Sequence, residues 1–115
     1  MIKPPTKATV KKYGLTIEEW FEMLKAQGGV CAICKKEPST GRICVDHEHV
    51  ALWKKKSPNE RKIYARGLLC WYCNSRLVGK GVTLEKARNI VKYLENYEER
   101  KRQHELKSMP ASVLD

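Results

Sequence analysis

The chain has 115 residues, with 23 Lys or Arg against 13 Asp or Glu and a formal charge of +10. This length fits one small domain with a modest core, and the cationic excess favours a polyanion partner, nucleic acid above all. No apolar run is long enough to span a membrane, and Met1-Ile2-Lys3-Pro4-Pro5 has no hydrophobic stretch behind it, so a reducing cytoplasm is the expected compartment.

With one Phe in the chain, Trp20, Phe21, Trp53, Trp71 and five tyrosines must carry much of the apolar bulk. A structural metal would compensate for so small a core, because metal-binding free energy becomes folding free energy. Residues 1–12 are rich in Pro and Lys and read as a basic, mobile arm. Thr16-Ile17-Glu18-Glu19 is a capping box, and Ile17, Trp20, Phe21 and Leu24 follow at helical spacing until Gly28-Gly29. This helix is expected to cover a metal knot that begins at Cys31.

Five cysteines is an odd count, which argues against a complete disulfide framework. Four fall into two Cys-x2-Cys pairs, Cys31/Cys34 and Cys70/Cys73, with 35 residues between them. Two such pairs supply the ligands of a closed, tetrahedral structural zinc. A rival set, Cys31, Cys34, Cys44 and His47, also has suitable spacing but would orphan Cys70 and Cys73. Cys44 is better read as a small buried strand residue.

Arg42 to Val45 is β-prone and runs into Asp46-His47-Glu48-His49, with Val50 to Trp53 as a candidate return strand. A regular strand would put His47 and His49 on one face and Asp46 and Glu48 on the other, whereas a bulge would break that rule. Lys54 to Arg66 is strongly basic, with a turn at Ser57-Pro58-Asn59, and reads as an exposed loop able to lie along a phosphate backbone. After the second cysteine pair and Asn74, Thr83 caps an amphipathic helix carrying Leu84, Ala87, Ile90, Val91, Leu94 and Tyr97 on one stripe. Residues 108–115 are expected to fray.

The central run suits phosphodiester hydrolysis. A neutral imidazole at His47 can accept a proton from water, and Asp46 with the amide oxygen of Asn74 offers hard ligands for Mg2+. The alternative is a zinc-stabilised DNA-binding module that does not cut.

Four blocks then match a known pattern in order: Tyr13-Gly14-Leu15-Thr16, Gly29 to Cys34, Val45 to His49, and Arg66 to Asn74. From Tyr13 to about Tyr97 the chain resembles the recombination endonuclease VII family of phage-type nucleases, within the HNH, or ββα-metal, superfamily. The resemblance implies an α+β fold with a small zinc-stabilised ββα-metal core and flanking N- and C-terminal helices. It places the nuclease domain at 13–107, between the arm at 1–12 and a disordered tail at 108–115.

By the same resemblance Cys31, Cys34, Cys70 and Cys73 hold structural Zn2+, His47 is the general base, and Asp46 and Asn74 hold one Mg2+ or Mn2+. His49 matches the second family histidine, assigned to phosphate contact or orientation. Glu48 stands where relatives often have Asp. The implied products carry 5′-phosphate and 3′-hydroxyl ends, with branched or nicked DNA, Holliday junctions included, as candidate substrates. A monomer or homodimer in a bacterial or phage-infected cell completes the expectation.

Overall fold

Trp20, fully buried, is the largest side chain in the core and the point on which the N-terminal helices meet the sheet. The computed structural model describes residues 1–79 and 81–110. They form two compact units, Met1–Gly81 and Val82–Asp115, the latter described as far as residue 110. The first is an α+β unit: α1 (Lys7–Lys12), α2 (Ile17–Ala26), β1 (Cys44–His47), a 3-10 turn (Trp53–Lys55), α3 (Pro58–Lys62), β2 (Ala65–Leu69) and a wide helical turn (Cys73–Leu77).

The expected capping box is present: Glu19 N–H donates to the Thr16 hydroxyl at 3.1 Å, and Thr16 N–H donates to the Glu19 carboxylate at 3.1 Å. Gly28 and Gly29 take φ of +73° and +77° and end α2, with Gly29 N–H returning to the Leu24 carbonyl. Trp20 joins Val10, Leu15, Val45 and Leu68 in one core cluster. The sheet is a two-stranded antiparallel hairpin with Cys44 opposite Leu69 and Val45 opposite Leu68. Successive strand residues face opposite ways, so Leu68 enters the Trp20 cluster while Leu69 enters a second cluster with Cys31 and Cys73.

Three expectations are corrected. The arm at 1–12 is not free: Thr6 caps α1, Val10 is 1% exposed within the core, and Lys3 N–H donates to the Gly41 carbonyl. The return strand is Ala65–Leu69 rather than 50–53, where Leu52 turns left-handed and Trp53 begins the 3-10 turn. Helix α2 covers the hairpin through Trp20 rather than the cysteine cluster. The basic segment also holds a short helix, α3, capped by a Ser57/Glu60 box with Pro58 at its first position.

Helix α3 is clamped to the N-terminal helices. Lys62 pairs with Glu19, and a Cβ on Gly14 would lie 2.0 Å from the Pro58 carbonyl oxygen, so only glycine permits this approach. In the second unit α4 (Leu84–Lys107) is capped by the Thr83 hydroxyl, which accepts from Lys86 N–H at 3.1 Å. Residues 111–115 of the expected tail lie outside the described residues.

Gln27 bridges helix and sheet. Its amide nitrogen donates to the Val30 and Leu68 carbonyls, both at 2.9 Å, and its oxygen accepts from Leu68 N–H at 2.9 Å. Gln27→Ala strands backbone groups of a buried strand residue, so urea denaturation should show a loss of about 1–3 kcal/mol. A loss near zero would mean that water replaces the bridge without cost.

Candidate functional site

The four paired sulfurs converge, with all ligand atoms of Cys31, Cys34, Cys70 and Cys73 within 4.8 Å of one another. Cys34 Sγ and Cys70 Sγ are 3.9 Å apart. A tetrahedral zinc with Zn–S bonds of about 2.3 Å needs sulfurs about 3.8 Å apart, so the set fits with slight contraction. Cys44 is half-buried on β1 and stands outside this set, as does His47, which removes the rival ligand assignment.

Backbone shape prepares the sulfurs. Lys35, at φ +61°, returns its N–H to the Cys31 carbonyl, and Cys73 N–H donates to Cys70 Sγ at 3.4 Å. Burial raises the Cys31 thiol, but N–H groups of Cys70, Cys34 and Ile33 outweigh it and bring the group down to about 6. Burial pushes Cys73 the other way, aided by hydrogen bonds from Cys70, Cys31 and Cys34 and by the charge of Cys31.

The hairpin delivers the remaining residues. Asp46 pairs with Gly67 and His47 with Ala65, so Arg66 is an extra residue bulged out of β2. The bulge aims Arg66 at Asp46: Nε donates to Oδ2 at 2.7 Å and Nη2 donates to Oδ1 at 3.0 Å. Asp46 is 6% exposed, and its hydrogen bonds raise Arg66 above the usual guanidinium range. No local motif announces this pair, because its members are 20 residues apart.

His47 and His49 come together, with ring centroids 4.7 Å apart, although β1 ends at His47 and the ladder shifts register there. Both line an open groove of about 740 Å³ with Tyr13, Trp53, Lys12, Lys54, Lys55 and Arg61. Asp46 and Asn74 do not line this groove. Asn74 follows Cys73 on the wide turn, and its side-chain amide bonds to none of the described residues. Glu48 is exposed and its N–H continues the hairpin by donating to the Tyr64 carbonyl at 2.8 Å. His47 is lowered from 6.5, first by burial and then by the charges of His49, Arg66 and Lys12, with Asp46 opposing.

A profile of recombination endonuclease VII matches residues 6–96. The chain belongs to the recombination endonuclease VII family. Two curated relatives are similar: the Gene 59 protein of Mycobacterium phage D29, 35% identical over 68 residues, and that of Mycobacterium phage L5, 34% identical over 68 residues. Each match covers 58% of this chain and about a third of the relative (34% and 35%). No solved structure matches. Among the described residues no helix is long and apolar enough to cross a membrane.

Zinc content separates the cysteine roles of this endonuclease VII family member. Purified protein should carry about one zinc per chain by elemental analysis, and Cys70→Ser should lose both the metal and helical circular dichroism. Cys44→Ser should keep the zinc with at most about 1 kcal/mol of stability lost. Full zinc retention in Cys70→Ser would overturn the four-thiolate assignment.

Proposed function

We propose that this chain is a metal-dependent DNA endonuclease of the HNH, or ββα-metal, type. The observation that carries the reading is His47, with its proton affinity reduced by burial, in a groove lined among the described residues by four cationic side chains and no carboxylate. Such a groove attracts a phosphodiester, and the neutral imidazole is ready to take a proton from water. In this reading His49, its ring centroid 4.7 Å from that of His47, contacts or orients the same phosphate.

Asp46 and Asn74 are the candidate holders of Mg2+ or Mn2+. Each Asp46 oxygen accepts one bond from Arg66 and keeps a second lone pair, and the Asn74 amide oxygen bonds to none of the described residues. When bound, the metal would supply charge neutralisation at the phosphoryl group and stabilise the departing 3′ oxygen. The chain's own part is to orient the strand through its lysines and to accept the water proton at His47. Attack on phosphorus then breaks the P–O3′ bond, leaving a 5′-phosphate and a 3′-oxygen that is protonated from solvent.

One observation favours a second reading, a DNA-binding module that does not cut: both oxygens of Asp46 are already bonded to Arg66. Plasmid nicking separates the two. With Mg2+, wild type should nick and EDTA should stop it reversibly while zinc stays bound. His47→Ala should fall about 10²–10⁴-fold. Wild type and His47→Ala that bind DNA equally and are equally inert would establish the binding module.

The pH profile follows from the His47 shift. Because the folded site disfavours the imidazolium, His47 stays a competent base below 6.5, and the acidic limb of cleavage should lie under that value. Lys12→Gln removes one repelling charge, so His47 gains protons more easily and the limb should move to higher pH. A limb that moves down, or stays fixed, would detach that limb from His47.

A further inference from the structure

The groove beside His47 carries features that proton transfer does not use. Leu52 is 68% exposed, and its backbone sits at φ +61°, ψ 23°, a left-handed conformation costly for any residue with a branched side chain. Next to it the Trp53 ring stacks on His47, with centroids 4.5 Å apart and 28° between planes. Tyr13 stands 5.4 Å from His47 and 5.7 Å from Trp53. Arg61 fixes this wall, with its guanidinium carbon 4.3 Å from the Trp53 centroid. The same group donates to the carbonyls of Trp53, Lys54 and Lys12 at 3.1, 2.7 and 3.0 Å.

Trp53 Nε1 is enclosed without an acceptor, so stacking rather than a polar anchor sets the ring. Lys54 and Lys55 flank the wall, and among the described residues no acidic side chain lines it. The matching ligand has a flat aromatic body and a negative charge, which describes a nucleotide.

Resting on the reading that DNA is bound here, we propose that the groove receives a nucleobase drawn out of the stack beside the phosphate facing His47, and that Leu52 enters the base step it leaves. An apolar side chain at a kinked step occupies the space that lost stacking opens. A base held against Tyr13 and the His47–Trp53 edge recovers part of that stacking. Lys54 and Lys55 neutralise the flanking phosphates. A nucleotide that starts unpaired is spared the disruption, so it binds more tightly.

The test uses the whole zinc-loaded chain in EDTA concentrations that withhold Mg2+ and leave the thiolate metal in place. The probe is a duplex carrying one 2-aminopurine. Wild type should raise the 2-aminopurine fluorescence severalfold and should bind the same DNA about tenfold more tightly when that nucleotide is unpaired. Leu52→Ser should abolish the fluorescence rise and narrow the preference towards unity, while Leu52→Met should keep both. Leu52 lies outside both buried clusters, and zinc content with circular dichroism verifies the fold of each variant.

The proposal is overturned if wild type binds both DNAs equally with no fluorescence rise, if Leu52→Ser matches wild type, or if no DNA is bound. A protein that unstacks the base yet cuts nothing on addition of Mg2+ would refute the endonuclease reading and support this one alone.

Discussion

Four sulfurs drawn within 4.8 Å tie residue 31 to residue 73, and the loops and strands between them depend on that closure. The cluster holding Cys31 and Cys73 gains only Leu69 as a buried apolar partner, so hydrophobic contact alone gives it little cohesion. A cation held by the four thiolates would supply what is missing, at the end of β2. Leu68 and Leu69 then act as a hinge pin between two small cores. One side chain is locked by Trp20 and the other by the sulfurs, which fixes the rotation of β2 about its own axis.

That rotation gives the bulge at Arg66 its consequence. With β2 fixed on both faces, the extra residue has no freedom to slip, and its guanidinium is held against Asp46. The register shift falls between Asp46 and His47, so two consecutive residues serve different surroundings. Asp46 is enclosed with a paired cation, whereas His47 opens on an aromatic and basic groove. Adjacent positions on one strand thus face different surroundings, a paired carboxylate at Asp46 and a groove-lining imidazole at His47.

What could be read from the sequence was local. Cys-x2-Cys spacing, the Thr16 capping box, the Gly28-Gly29 stop and the Thr83 cap each confine their cause to a few neighbouring residues, and each appears where expected. The same rule explains a miss, since Ser57-Pro58-Asn59-Glu60 carries a full helix-start signal hidden under a run of charge. Other features had no local cause. Val50 to Trp53 is β-prone, but β1 pairs with a strand brought back by the α3 turn. A single Val10 in a Lys-rich segment became core because α1 folds over Trp20. The Arg66–Asp46 pair and the His47–Trp53 stack depend on a bulge and on Arg61, neither visible in any short window.

The placement of Arg61 links these levels. One side chain donates to three carbonyls on two segments and lies over Trp53, so the N-terminal helix, the 3-10 turn and α3 meet at a single guanidinium. Such a group is poorly suited to roam along a phosphate backbone, because its donors are spent on the protein. Lys54 and Lys55 beside it are exposed and have no such ties among the described residues. The basic segment is therefore divided between cations tied to the protein, Arg61, Lys62 and Arg66, and exposed lysines such as Lys54 and Lys55. That division leaves an aromatic wall braced by Arg61 beside His47, with exposed positive charge in front of it.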